Sequence, residues 1–136
     1  MSSAYVDSSV IVAIAFNEAR AADWVSRLRT YTDVLSAPLL EAEVRAAARR
    51  DHVLVNEEWL SAVQWIIPSR GLQPEIIRVL GAGYVGGADC WHLATALYVA
   101  NHPSDFDFLT LDARQREVAA HLGFRTPLSP PRREAP

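Results

Sequence analysis

Three short runs of strand-forming residues, Ala4 to Val6, Asp33 to Ala37 and Phe106 to Leu111, are each followed by a stretch with the apolar spacing of a helix. A chain that passes from strand through helix to strand returns to its sheet in parallel, because the helix provides the crossover. This alternation predicts an α/β sandwich with a central, mostly parallel sheet of about five short strands. After the first run, Val10 to Phe16 and the spacing of Ala22, Val25 and Leu28 read as two helices. Pro38 opens another helix, to Arg50, at a first-turn position where its missing N–H costs nothing. Asn56 to Ile67 reads as a helix with Trp59, Val63 and Ile66 as its apolar stripe, stopped by Pro68, while Pro74 to Leu80 fits either a helix or a strand. A glycine-rich loop, Gly81 to Gly87, leads into a helix from Ala88 to about Asn101. A helix over Ala113 to Leu122 and a short strand near Phe124 to Thr126 complete a domain spanning residues 1–126.

Residues 127–136 carry four of the eight prolines, and this composition predicts a solvated tail without fixed structure. The longest apolar run, Val10 to Phe16, is too short to span a bilayer, and no basic residue precedes Arg20, so a cytoplasmic protein with no membrane role is expected. The lone Cys90 makes neither an internal disulfide nor a thiolate pair for zinc.

The net charge is −3, and all 13 basic residues are Arg. An acidic domain is a poor clamp for nucleic acid unless its carboxylates hold cations. Two divalent ions would turn −3 into +1, and the helix bearing Arg45, Arg49 and Arg50 could then meet phosphate. Without such ions, those arginines read as a solvated face.

Four acids stand out. Glu41 has Arg45 four residues on, the spacing of a surface ion pair. Glu43 is different: its helical neighbours Leu39, Leu40, Ala46 and Ala47 are apolar, so its carboxylate leaves from a packing face and needs a partner. Asp89 repeats the pattern, with His92, Leu93 and Ala96 along its face, and Asp7 and Asp112 each follow an apolar strand. In a parallel sheet, ligands bind beyond the carboxyl ends of the strands, where Asp7 and Asp112 point. Returning helices would bring Glu43 and Asp89 to the same rim. Two carboxylates about 5 Å apart repel by roughly 3 kcal/mol at an effective dielectric near 20, so a cluster of four calls for protons or cations. All-oxygen ligation selects Mg²⁺ or Mn²⁺, ions suited to phosphodiester hydrolysis. Taken singly, Asp7, Asp89 and Asp112 also fit as helix caps or dipole partners, and Glu43 as a buried acid paired with an Arg. Thr110 reads as strand filler whose hydroxyl could orient a carboxylate.

At these residues the sequence resembles the PIN domain and, within it, the VapC-type toxins of toxin–antitoxin pairs. The resemblance is carried by Tyr5-Val6-Asp7-Ser8-Ser9, by Leu39-Leu40-Glu41-Ala42-Glu43-Val44-Arg45, by Asp89-Cys90-Trp91-His92-Leu93-Ala94-Thr95-Ala96, and by Thr110-Leu111-Asp112-Ala113-Arg114 with Leu122-Gly123-Phe124. It implies a PIN-like α/β/α sandwich and a Mg²⁺- or Mn²⁺-dependent endoribonuclease. It also implies a homodimer and a cognate VapB-type antitoxin that inserts near the acidic pocket. By motif position Asp7, Glu43, Asp89 and Asp112 are the metal-binding and catalytic carboxylates, with Thr110 and Arg114 in support. Asp105 and Asp107 compete with Asp112 for the fourth place.

Two rival readings stand beside this one. Gly81-Ala82-Gly83-Tyr84-Val85-Gly86 spells GxGxxG, the fingerprint of dinucleotide-binding oxidoreductases, and Ile76 to Leu80 before it would have to be a strand. Only about fifty residues follow, and Asp89 brings negative charge to the helix start that a pyrophosphate needs. Alternatively, a PIN-like fold without catalysis would be a binding module. Receiver domains and Walker-type hydrolases require a Lys that this chain lacks. His92 reads as a satisfied core residue rather than a ligand, and Trp24, Trp59, Trp65 and Trp91 as core or dimer contacts.

Overall fold

In the computed structural model, which describes residues 2–127, the chain enters through the strand that becomes central to the sheet. In β1 (Ser3–Val6), Ala4 and Val6 face one layer and Tyr5 the other, the period-two alternation of a strand buried on both faces. Next come α1 (Ser8–Ala15), α2 (Ala21–Leu28), β2 (Asp33–Ser36), α3 (Pro38–Asp51), α4 (Glu57–Ala62) and β3 (Gln64–Trp65). The second half comprises α5 (Gln73–Ala82), α6 (Gly87–Val99), β4 (Phe106–Leu109) and α7 (Ala113–His121).

The four strands run parallel in the order β3-β2-β1-β4. Tyr5 lies opposite Leu35 on one side and Phe108 on the other. The chain builds outward from β1 through β2 to β3, then crosses to the far side of β1 for β4. On one face, Ala4, Val6 and Leu109 pack with Val10, Ile11, Trp24, Leu28, Leu40, Val44 and Leu60 of α1 to α4. On the other, Tyr5, Leu35 and Phe108 pack with Val79, Leu93, Ala96, Val118 and Ala119 of α5 to α7. The result is the expected α/β/α sandwich, and the strand order reverses between β1 and β4.

The expectations differ from the structure at three places, and the one left open is decided. The sheet has four strands rather than about five: the one expected near Phe124 to Thr126 is a single bridge of Arg125 to Asp107, beyond β4. The helix expected over Asn56 to Ile67 ends at Ala62. Val63 is extended, and β3 follows, tied to β2 by the Ile66 N–H donating to the Ser36 carbonyl at 2.8 Å. The run Val63 to Ile67 is β-branched and aromatic apart from Gln64, a composition that favours a strand once an edge is within reach. Pro74 to Leu80 belongs to a helix, α5. The strand expected to Leu111 stops at Leu109. The tail proposed from residue 127 lies, from residue 128 onward, outside the described residues. Among the described residues no helix is long and apolar enough to cross a membrane.

The GxGxxG reading fails on the same grounds. Gly81 is inside α5, so the segment before the glycines is a helix and not the strand that a dinucleotide loop needs. Gly83 serves packing instead: a Cβ there would come within 2.9 Å of Val118 Cγ2 on α7.

Phe108 is fully buried and stacks on Tyr5 with centroids 5.4 Å apart and planes 7° from parallel. Phe108→Ala should cost about 3–5 kcal/mol in urea unfolding. By contrast Leu54→Ala, at a residue 94% exposed, should stay within about 0.5 kcal/mol of wild type.

Candidate active site

Where the strand order reverses, the carboxyl ends of β1 and β4 open a crevice. Both carry acids: Asp7 directly follows β1, and Asp112 lies three residues beyond β4. The Asp7 N–H donates to the Leu109 carbonyl at 2.9 Å, extending the ladder between the two strands. Its side chain caps α1, with Oδ2 accepting from the Ser9 N–H at 3.0 Å. Asp112 caps α7, with Oδ1 accepting from the Gln115 N–H at 2.8 Å. The capping explanation is therefore correct for both residues. It does not exhaust Asp7, whose side chain is buried among groups from three further elements.

Two side chains, each 0% exposed, connect the acids. His92 on α6 has Nε2 2.6 Å from Glu43 Oε1 and 3.8 Å from Asp7 Oδ1. Gln115 on α7 directs Nε2 to Asp7 Oδ1 at 3.4 Å and to the Asp89 carbonyl at 3.5 Å. Thr110 donates to Gln115 Oε1 at 2.7 Å, and its Oγ1 lies 3.5 Å from Asp7 Oδ2. Thr110 also accepts the Asp112 N–H at 3.0 Å. The Ser9 hydroxyl, 3.3 Å from that of Thr110, accepts the Leu111 N–H at 3.0 Å. The hydroxyl read as strand filler is thus a hub between Asp7, Gln115 and Asp112.

Asp89 lies in the first turn of α6, one turn before His92. Burial raises its carboxyl above the ordinary value, the negative charges of Asp7 and Asp112 push it further, His92 opposes the shift, and Glu43 adds to it. The other three acids therefore all act on Asp89. Among the described residues no guanidinium pairs with any of them. Glu43 has found its partner in an imidazole rather than an Arg.

Several oxygens are left without a hydrogen bond among the described residues: both of Asp89, Oε2 of Glu43 and Oδ2 of Asp112. Hard oxygen donors carrying excess negative charge fit Mg²⁺ or Mn²⁺ by charge and donor type. As the side chains stand, no three His, Cys, Asp or Glu groups among the described residues close on one metal position.

The other sequence candidates lie elsewhere. Asp107 sits at the opposite end of β4, paired with Arg125 at 2.6 Å and accepting from the Tyr31 hydroxyl at 2.5 Å. Asp105 is exposed in a 3₁₀ turn before β4. Neither competes with Asp112 for the crevice. Arg114 turns to the Tyr84 carbonyl at 3.0 Å and to Glu117. Arg116 instead reaches the Thr110 carbonyl at 3.4 Å and pairs with no carboxylate among the described residues. Sequence reasoning missed Gln115 and Arg116. The signal for Gln115 was its place three residues after the capping Asp112, where a Gln ordinarily reaches back to the cap.

Of known families, the PIN domain model matches residues 4–121. No curated protein and no solved structure matches the chain.

The raised Asp89 carboxyl has a thermodynamic consequence. The folded protein holds this proton more tightly than the unfolded chain, whose value is 3.8, so stability falls as pH rises from that value through the folded one. Asp89→Asn should therefore melt at a higher temperature than wild type at neutral pH. The advantage should fade on the acid side of 3.8, and Mn²⁺ should narrow it at neutral pH by stabilising wild type alone. Thermal melts across pH, with and without the ion, check this.

Proposed function

The chain belongs to the PIN domain family, a family of metal-dependent nucleases, and from that premise we propose that it is a Mg²⁺- or Mn²⁺-dependent endoribonuclease acting as the toxin of a toxin–antitoxin pair. The observation that carries the reading is the crevice at the ends of β1 and β4. Three acids act there on a fourth, Asp89, and among the described residues none of the four is neutralised by an Arg. Ordinary proteins do not gather charge of one sign without compensation.

Asp7, Glu43, Asp89 and Asp112 would hold the cation. When bound, it supplies Lewis-acid activation of water and charge compensation at the scissile phosphate. The rest is done by the chain. Asp7 is held by the Ser9 N–H and Gln115, with Thr110 beside it, and Glu43 by His92, so one oxygen of each is oriented before a cation arrives. Asp89 and Asp112 keep oxygens free of hydrogen bonds at the open side. The nearest guanidinium without a carboxylate partner, Arg116, is available to RNA phosphate, and Arg49 on α3 likewise has none. With two divalent ions bound, the formal charge changes from −3 to +1, which removes the electrostatic objection to RNA.

The partner side of the reading, a homodimer and a VapB-type antitoxin, rests on the motif resemblance. It is supported by an apolar groove of about 380 Å³ lined by Ile76, Leu80, Tyr84, Val85 and Trp91 between α5 and α6, beside the exposed Ile77.

RNA cleavage by the purified chain in Mg²⁺ or Mn²⁺, and in excess chelator, tests the reading. Asp89→Asn and Asp7→Asn should each cut at least about 100-fold more slowly, the scale of losing a group that acts in the chemical step, while remaining folded. Metal binding without cutting on any RNA class would favour the inactive binding module. Cleavage that survives chelator or both substitutions would refute the carboxylate centre.

A further inference from the structure

Glu43 is held by a chain of hydrogen bonds that starts and ends on its own helix. Ala37, the residue that caps α3, donates its N–H to the Tyr5 hydroxyl oxygen at 3.1 Å. That oxygen lies 2.8 Å from His92 Nδ1, and His92 Nε2 lies 2.6 Å from Glu43 Oε1. Tyr5 and His92 are both 0% exposed. The Tyr5 ring stacks on Phe108 and meets the His92 ring edge-on at 5.8 Å and 69°, so neither ring can turn freely.

The chain fixes the tautomer. Nε2 faces a carboxylate oxygen, which only accepts, so Nε2 carries a ring proton; in the singly protonated ring Nδ1 is then the acceptor, and the Tyr5 O–H, whose oxygen accepts from Ala37, donates to it. The ring proton is left on Nε2, where it donates to Glu43 Oε1. A neutral donor orients a carboxylate without cancelling its charge, which a guanidinium would do. Oε2 is left with no hydrogen bond among the described residues.

We propose that Tyr5 and His92 form a positioning pair for Glu43, holding one carboxylate oxygen so that the other is presented to a divalent cation in the crevice. The proposal rests on the metal-dependent reading above and adds to it two residues that touch neither metal nor substrate. Groups that orient metal ligands in this way commonly govern affinity by 10- to 100-fold.

The test is titration of the metal-free full chain with Mn²⁺, following the free ion by electron paramagnetic resonance. His92→Leu should weaken binding by about 10-fold or more. His92→Gln, whose amide N–H replaces Nε2–H, should stay within about 3-fold of wild type. Tyr5→Phe should weaken binding measurably, and it decides the matter if His92→Leu does not fold. In a Glu43→Gln background, His92→Leu should cause no further loss, because the oxygen it positions is gone. Equal losses in both backgrounds, failure of His92→Gln to restore binding, or unchanged affinity in folded Tyr5→Phe would each overturn the pair's role. So would an Nδ1-protonated His92 in ¹⁵N-resolved NMR. Wild type that binds no Mn²⁺ would instead refute the metal-dependent reading itself.

Discussion

The structure depends on burying one carboxylate, Asp7, which is 4% exposed at the end of the central strand. A buried carboxylate without partners costs several kcal/mol, so the surroundings must supply donors. The Ser9 N–H comes from the start of α1 and the Gln115 amide from α7, while Thr110 beyond β4 and the His92 edge on α6 stand 3.5 and 3.8 Å from the carboxylate. Elements far apart in the chain are thereby drawn to one point. The crossover that places β4 beside β1 is what brings three of them within reach. The fold and the pocket thus share one requirement, that Asp7 be surrounded.

No guanidinium is among the partners, and this distinguishes a site from a staple. The same strand carries the comparison. Asp107, at its start, bonds Arg125 and the Tyr31 hydroxyl, with Arg27 3.8 Å away. Its charge is compensated, and its role is to hold the Arg125 bridge and α2 against the sheet edge. Asp112, three residues beyond the strand's other end, keeps its charge. Cations gather where the sheet needs closing and are absent, among the described residues, where four acids meet. The arrangement stores repulsion that an added cation would relieve, a local instability typical of sites built to bind.

The four acids were legible in the sequence because each violates a local expectation. Asp7 and Asp112 follow apolar strands, and Glu43 and Asp89 stand on apolar helix faces. Of the groups that serve them Thr110 was legible, as a hydroxyl beside Asp112, while the roles of His92 and Gln115 were not. His92 and Gln115 are unremarkable helix residues by spacing, and only the tertiary fold shows that both point inward beneath Asp7. Arg114 and Arg116 lie two positions apart on one helix, 200° around its axis, and only the structure shows which of them faces Thr110. The misread elements have a common cause. β3 is two residues long, too short for period two to show against the helical spacing of Trp59, Val63 and Ile66. Its residues favour a strand, and its neighbour β2 supplies the edge that decides it. The bridge at Arg125 is likewise set by the edge of β4.

The glycine run illustrates why a motif must be judged by what precedes it. Gly81 and Gly83 match a phosphate loop in spelling, yet one lies inside a helix and the other clears space for Val118. A dinucleotide loop uses glycine so that backbone can approach a ligand; here glycine lets α5 approach α7. That approach packs α5 against α6 and α7, and α7 in turn carries Gln115 beneath Asp7. The residue that most resembled a ligand site therefore acts at a distance, holding in place the helix whose buried amide keeps the central carboxylate satisfied.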